Sequence, residues 1–291
     1  MTIQEFVPLG PKTTMRIGGK ARHFAELTER ADVEEAWACA HSRGVPLIVL
    51  GGGSNTVFAD QVIEALVVRI KAERLDVQGN AVTVQAGKTL ATLINELAEQ
   101  DLDLSPLTGI PGTVGGAIFG NAGQGPKGIW MDHYATSATC FVNGEWKILS
   151  HEQCNFRYRE SLFKDLTTHN APIIWEATLK VPSGPAVEVK AEIERLLQKR
   201  LETQPHIKTA GSCFKATPDG TPAWQCIDAA GLRGLKVGGI AVSEKHANFL
   251  LNTSNGTFAD ACTIVQKIRE AAPALQGVEM RFYGSEGCVV F

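Results

Sequence analysis

Apolar and polar residues follow two periods along this chain, and the switches between them mark its elements. Period-two stretches and short apolar runs predict strands at His23–Leu27, Pro46–Leu50, Leu66–Ile70, Ala81–Gln85, Ser137–Val142, Lys147–Leu149 and Pro172–Val181. Asn143-Gly144, between two of these, reads as a tight hairpin because both residues tolerate positive φ. A helix is expected from a capping-box start at Asp32 with Glu35, and a second aligns Leu90, Leu93, Ile94, Leu97 and Ala98 on one face. From about Pro185 the pattern becomes a long charged helix ending near Gln204-Pro205, then helices near Ala223–Ala230 and Thr257–Ala271 with strands between. The shift after Val181-Pro182-Ser183-Gly184-Pro185 is the clearest boundary, and the expected domains are 1–72, 73–184 and 185–291.

Two glycine-rich segments interrupt this pattern, Leu50-Gly51-Gly52-Gly53-Ser54-Asn55 and Gly109-Ile110-Pro111-Gly112-Thr113-Val114-Gly115-Gly116-Ala117. Glycine lets main-chain N–H groups approach a phosphate closely and permits positive φ, so such runs form anion-binding nests. Either segment alone fits a turn; together they suggest two backbone surfaces clasping one phosphate-bearing ligand. Two nucleotide motifs fail. Ala86-Gly87-Lys88-Thr89 imitates a P-loop, but the required first glycine would fall at Val82; Gly51-x-Gly53 has Thr56 where a dinucleotide fingerprint needs a third glycine or alanine.

Composition narrows the class. The 291 residues, 44% hydrophobic, can build two or three cores, and a net charge of −3 implies no strong field for nucleic acid or membrane. The start MTIQEFVPLG lacks the features of a signal peptide, so a cytoplasmic location is expected; a monomer is expected as well. Seven scattered cysteines without a CxxC, and His23, His41, His133, His151, His169 and His206 without ligand spacing, signal neither disulfides nor a metal.

The runs TTMRIGGKA at Thr13–Ala21, LGGGSN, GIPGTVGGAIFGNAG at Gly109–Gly123, YRES at Tyr158–Ser161, AGSCFK at Ala210–Lys215, AGLRGLKVGG, SEKHANF and VEMRFYG stand in the order found in one family. In this pattern the chain resembles the shorter, second type of the UDP-N-acetylenolpyruvoylglucosamine reductases. The resemblance implies an α+β flavoprotein, with a bipartite FAD-binding region of the vanillyl-alcohol-oxidase type and a C-terminal α+β substrate domain. It adds Asn121 and Gly123 to the glycine segments as FAD contacts. NADPH would be the co-substrate, and UDP-N-acetylglucosamine enolpyruvate would be reduced to UDP-N-acetylmuramate for peptidoglycan synthesis.

Reducing an enol ether conjugated to a carboxylate needs a hydride donor, a cation for the carboxylate and a proton source. By resemblance Ser212 is the acid, Arg159 polarises the carboxylate, and Glu279 stabilises or protonates the enol-like intermediate, with Arg281 nearby. The residues alone favour a serine closing its own turn, an arginine paired with Glu160 or another surface acid, and a strand Val278–Phe282 whose charges face solvent. Tyr158, Lys215, Lys245, His246 and Asn248 are candidate substrate contacts; His246 fits a capped loop as well. Two departures stand out. Lys215 is followed by Ala216-Thr217 rather than the family's asparagine and proline, and Gln124-Gly125-Pro126 replaces an aromatic after Gly123. A flavin oxidase of another alcohol and a ligand-binding module without turnover remain alternatives.

Overall fold

The computed structural model describes residues 1–124, 128–166 and 172–291; Gly125, Pro126 and His169, named above, lie outside these. The chain opens with β1 (Gln4–Pro8), β2 (Lys20–Leu27), α1 (Arg30–Arg43), β3 (Leu47–Val49), β4 (Thr56–Phe58) and β5 (Ile63–Ile70). A middle stretch carries β6 (Leu75–Gln78), β7 (Ala81–Gln85), α2 (Leu90–Ala98), α3 (Val114–Phe119), β8 (Ala135–Val142), β9 (Glu145–Ser150), α4 (Leu162–Asp165) and β10 (Ile173–Lys180). Then follow α5 (Ala186–Thr203), β11 (Thr209–Ser212), α6 (Ala223–Ala229), β12 (Lys236–Val237), β13 (Ile240–Val242), β14 (Phe249–Asn252), α7 (Phe258–Ala271) and β15 (Arg281–Tyr283).

These elements fall into two compact units, each discontinuous in sequence. One comprises Met1–Ile3, Phe24–Gly52 and Leu66–Arg200; the other comprises Gln4–His23, Gly53–Ala65 and Leu201–Phe291. The chain passes between them within β2, within β5 and inside the first glycine segment, so this grouping cuts across the contiguous segments 1–72, 73–184 and 185–291.

The first unit is built on an antiparallel sheet in the order β6-β7-β10-β8-β9. Its hairpin turns at Asn143 and Gly144, whose φ values are 52° and 82°, pairing Val142 with Glu145 as the mirror-image turn requires. Helix α2 buries Leu90, Leu93, Ile94, Leu97 and Ala98 in the same core as Val82 and Val84 of the sheet. Each such large side chain contributes ~1.5–3 kcal/mol through its removal from water. Helix α1 begins two residues before the expected Asp32. Glu29 is its N-cap, and Asp32, at the third helical position, reaches back to accept from the N–H groups of Thr28 and Glu29 at 2.8 and 3.0 Å. The P-loop look-alike is explained by an ion pair, with the buried Lys88 ammonium donating to Glu96 at 2.7 and 3.0 Å.

The second unit holds an antiparallel sheet in the order β11-β14-β13-β12 and a parallel pair, β15 with β4. Ile240, Val242 and Leu250 share a core with Ala261, Ile264, Val265 and Ile268 of α7, whose start is fixed by a reciprocal Thr257–Asp260 capping box. The expected strand Val278–Phe282 is interrupted. Val278 makes one bridge to Phe214, the N–H of Glu279 donates to Cys213 O at 2.8 Å, and the ladder to β4 begins only at Arg281. The alternation survives this break, because Met280 and Phe282 are buried in the core.

Candidate active site

Within the first unit the two glycine segments meet at backbone distance. A Cβ added at Gly52 would stand 2.8 Å from Gly112 Cα, and one at Gly51 would stand 2.8 Å from Thr113 Oγ1. Neither position accepts a side chain without separating the segments. Thr113 caps α3 by accepting from Gly116 N at 3.3 Å, while Gly115 donates to Ala86 O at 3.0 Å and is pressed against the Ala86 side chain. Gly116 is different, because a Cβ there would meet only Thr113 Oγ1, at 3.6 Å. Ala117 and Ile110 are tied back to Thr113 O and Leu107 O, and Pro111 lies between Ile110 and the positive-φ Gly112.

The same unit links this region to the turn that carries Arg159. Asn121, fully buried, donates from Nδ2 to Arg157 O at 3.0 Å, and Ser161 Oγ donates to Phe119 O at 2.6 Å. Arg157 and Glu160 exchange backbone hydrogen bonds, so Tyr158 and Arg159 form a two-residue tip, with Arg159 in the left-handed region at φ 59°. A non-glycine residue held there is a strained feature of the kind that clusters at functional sites. Trp130 packs edge-on to Tyr158 with ring centroids 5.8 Å apart, and Gly123 is required because any Cβ would overlap the Trp130 ring. Gln124, the residue in the aromatic's place, donates to Pro106 O and Thr108 O.

Two residues enter here that the sequence pattern did not single out. The Arg200 side chain crosses Gly109, whose added Cβ would stand 2.5 Å from Arg200 Cδ. Burial, with the like charge of Arg159 adding to it, lowers the Arg200 guanidinium to about 10, which still leaves it charged at neutral pH. Arg200 Nε and Thr108 Oγ1 are buried with no hydrogen-bond partner among the described residues. Arg200 looks from sequence like one more charge on a polar helix, and Thr108 like a neighbour of a turn. The unmet donors and the open face of Gly116 fit a large polar ligand carrying negative charge.

In the second unit Gly53, Ser54 and Asn55 lie against the serine turn. Gly53, at φ 66°, cannot carry a Cβ because the Lys12 carbonyl fills that space, and its own carbonyl accepts from Thr14 N at 3.0 Å. Asn55 Nδ2 donates to Ala210 O at 3.3 Å, Asn55 O accepts from Arg281 N at 2.9 Å, and Ser54 O lies 3.8 Å from where a Cβ on Gly211 would stand. The Glu279–Cys213 backbone bond brings Glu279 alongside Cys213, the residue after Ser212, and the Cys213 thiol is pushed up by burial and by the charge of Glu279. The half-buried Ser212 hydroxyl makes no hydrogen bond to the described residues, which disfavours a serine that merely closes its own turn.

Other expected contacts are placed less simply. Lys215 donates from its backbone to Gly277 O at 2.9 Å, and its stem covers Gly277. The Asn248 amide donates to Phe214 O and accepts from Phe214 N, both at 2.9 Å, and so holds the strand after Ser212. Lys245 Nζ donates to Leu201 O, beside a cavity of about 320 Å³ bordered by Lys236, Ala241, Glu244 and Leu251. His246 packs on Phe249 with centroids 4.8 Å apart, and burial, with the Arg233 charge, lowers its imidazole below the ordinary value of 6.5. Arg281 Nε donates to Tyr283 Oη at 3.2 Å.

Residues 21–142 match the FAD binding domain family, and residues 201–282 match the family described as UDP-N-acetylenolpyruvoylglucosamine reductase, C-terminal domain. A UDP-N-acetylenolpyruvoylglucosamine reductase of Chlamydia trachomatis serovar L2 is 34% identical over 291 aligned residues, covering 96% of this chain and 94% of its own. The chain belongs to the UDP-N-acetylenolpyruvoylglucosamine reductase family. The reductase of Paramagnetospirillum magneticum is 35% identical across 94% of this chain and 88% of its own. The crystal structure of the Thermus caldophilus reductase superposes with a TM-score of 0.82 at 30% identity, covering 97% of this chain and 98% of that one. The α+β class and the FAD-binding region expected from the sequence are those of the reductase family. Both glycine segments fall within the FAD-binding match, and Ser212, Lys215, Lys245, His246 and Glu279 fall within the reductase-specific match. Among the described residues no group of three or more His, Cys, Asp or Glu could hold a metal ion, and no helix is long and apolar enough to cross a membrane.

Proposed function

We propose that this chain catalyses the NADPH-dependent reduction of UDP-N-acetylglucosamine enolpyruvate to UDP-N-acetylmuramate, a step of peptidoglycan precursor synthesis in the cytoplasm. The observation that carries most weight is the hydrogen bonding, from the Asn55 side-chain amide and from the Glu279 and Arg281 backbones, that holds the Ser54–Asn55 segment, the Ala210–Ser212 turn and Glu279 together in one unit. Gly51, Gly52, Gly112, Thr113 and Gly116 are the residues that would hold FAD, Gly52 and Gly112 through their close backbone approach, Gly51 against the Thr113 hydroxyl, and Gly116 through its open face.

FAD, when bound, would supply hydride chemistry between NADPH and the terminal methylene carbon of the enolpyruvyl group. Ser212 Oγ donates its proton to the adjacent carbon, so that one C=C bond is lost, two C–H bonds form, and the alkoxide is reprotonated from solvent. A hydroxyl in a half-buried turn with no hydrogen bond to the described residues suits this, because none of them holds its proton. Glu279, alongside Cys213, stabilises the intermediate between the two transfers. Arg159 receives the substrate carboxylate; a permanently charged guanidinium can form a bidentate pair with it and hold the charge that moves onto it during hydride addition. Arg200 adds a second fixed positive charge beside Arg159. Tyr158, Lys215, Lys245 and His246 contact the nucleotide-sugar portion.

The test is an anaerobic spectrum of the purified protein, bleached with NADPH and then mixed with UDP-N-acetylglucosamine enolpyruvate. Return of the oxidised flavin band is the expected result. Return only on admitting oxygen would indicate an oxidase, and a protein that takes up no FAD would overturn the assignment.

A further inference from the structure

The strand that presents Ser212 is not regular. Between the pairs Thr209–Leu251 and Ser212–Phe249, three residue steps along β11 match two along β14, so β11 carries one extra residue immediately before Ser212. Gly211, inside this bulge, has a φ of 78°. A bulge re-aims the side chain that follows it, and it leaves backbone groups without ladder partners that something else must satisfy. On the β14 side the ladder resumes through Asn252 N to Lys208 O at 2.9 Å and Cys213 N to Asn248 O at 2.8 Å. The carbonyls of Thr209, paired at the edge of the bulge, and of Ala210, inside it, accept from side chains: Thr14 Oγ1 at 2.6 Å and Asn55 Nδ2 at 3.3 Å.

We propose that Thr14 is a positioning residue for the proton transfer, its hydroxyl fixing the bulge that aims Ser212 while its backbone holds the glycine segment. Thr14 is suited to both tasks at once. Its N–H donates to Gly53 O at 3.0 Å and its hydroxyl to Thr209 O, so one residue spans the end of the first glycine segment and the start of the serine turn. The hydroxyl also lies 3.3 Å from Gly53 O, but it has one proton, and the 2.6 Å contact is the better bond. Thr13 cannot substitute, because its own hydroxyl is directed at Gly10 O and Ile17 O. Nothing in this role touches substrate or flavin, and the effect on chemistry runs through the orientation of Ser212.

The proposal rests on Ser212 being the acid, and the experiment separates the two. In the FAD-loaded enzyme, Thr14→Val removes the donor while keeping shape, Thr14→Ser restores it, and Thr14→Ala serves if the valine variant folds poorly. Single-turnover bleaching by NADPH should stay within ~2-fold of the parent for all three, because no proton from Ser212 is used there. Reoxidation by the enolpyruvyl substrate should slow by ~10-fold or more in Thr14→Val and Thr14→Ala and acquire a larger solvent deuterium isotope effect, with Thr14→Ser near the parent. In a Ser212→Ala background the Thr14→Val change should slow reoxidation no further, because the group it aims is gone. Equal slowing of both half-reactions, no slowing, or failure of serine to rescue overturns the positioning role. If Ser212→Ala itself reoxidises at the parental rate, the acid assignment fails, and the role of Thr14 falls with it.

Discussion

Substituting alanine at Gly52 and at Gly116 tests the clasp of the two glycine segments with opposite signatures. At Gly52 the new methyl would stand 2.8 Å from Gly112 Cα and 3.5 Å from Gly112 C. Carbon atoms settle at ~3.5–4.0 Å, so the segments must separate by ~0.7–1.2 Å. Overpacking of this kind costs ~1–3 kcal/mol, which in a protein of this size lowers the melting temperature of the apoprotein by ~2–10 °C. A displacement of ~1 Å also takes a 2.9 Å backbone hydrogen bond to a phosphate beyond bonding range, and a bond to a charged group is worth ~1.5–3 kcal/mol. The FAD dissociation constant should therefore rise ~10- to 150-fold.

At Gly116 the added methyl meets only the threonine hydroxyl, at 3.6 Å, and the residue lies within α3. The apoprotein should melt at the parental temperature or slightly above it, since replacing helical glycine by alanine favours the fold by up to ~1 kcal/mol. Affinity for FAD should nonetheless fall, because the methyl occupies the face left open for the ligand. Titration of apoprotein into FAD, followed by flavin fluorescence, gives both constants, and calorimetry of the same samples gives the melting temperatures. Parental affinity in Gly116→Ala would refute the placement of FAD at that face. Parental affinity in Gly52→Ala would show that the separation of the segments does not matter to binding.

Four further outcomes are expected. Ser212→Ala should leave bleaching by NADPH nearly intact and slow reoxidation by the enolpyruvyl substrate by orders of magnitude; equal loss of both in stopped flow would exclude the acid role. The Asp32 carboxyl is held down to about 2, chiefly by the Thr28 N–H with help from Glu29 N–H and the Thr28 hydroxyl, against an ordinary 3.8. Its folded value lies below its unfolded one, so the stabilisation is present above pH ~4 and is lost as pH falls towards 2; thermal melts across this window should lose part of their pH dependence in Asp32→Asn. Burial raises the thiols of Cys140 and Cys154 to about 11, whereas Cys288 is exposed, so mass spectrometry after brief alkylation at pH 8 should find Cys288 modified and the two buried cysteines untouched until the protein is unfolded. Leu93→Ala, at a fully buried position of α2, should cost ~2–5 kcal/mol in denaturant melts.

Much of the local architecture was legible because it is enforced by short-range rules. The five apolar residues of α2 all reach the core, and Asn143-Gly144 makes the turn its two positive φ values demand. Legibility failed where the fold, rather than the local spacing, decides which group a side chain meets. Asp32 looked like a cap, but whether an acid at that spacing is the N-cap or the residue reaching back to it depends on where Glu29 and Thr28 place their N–H groups. Asn248 looked like a ligand contact, yet its amide completes the backbone pairing of Phe214, 34 residues earlier in the chain. Lys88, whose P-loop imitation Val82 already excludes, gives its ammonium to Glu96, eight residues on.

The candidate catalytic residues show the same division. The resemblance marked Arg159, but only the structure explains how it is displayed: the Arg157–Glu160 exchange makes a tip whose second residue must take a left-handed backbone. Such a conformation disfavours arginine relative to glycine by ~1 kcal/mol or more, and the surrounding bonds from Asn121 and Ser161 hold it. Arg159→Gly would relieve the strain while removing the charge, whereas Arg159→Lys keeps a charge and the strain but loses the planar fork. If Arg159 serves the substrate carboxylate, the glycine variant should be at least as stable as the parent and nearly inactive in reoxidation, and lysine should recover only part of the rate. If Arg159 is instead a structural ion pair, the glycine variant should lose stability and keep its rate, so a melt and a single-turnover trace on two variants separate the readings.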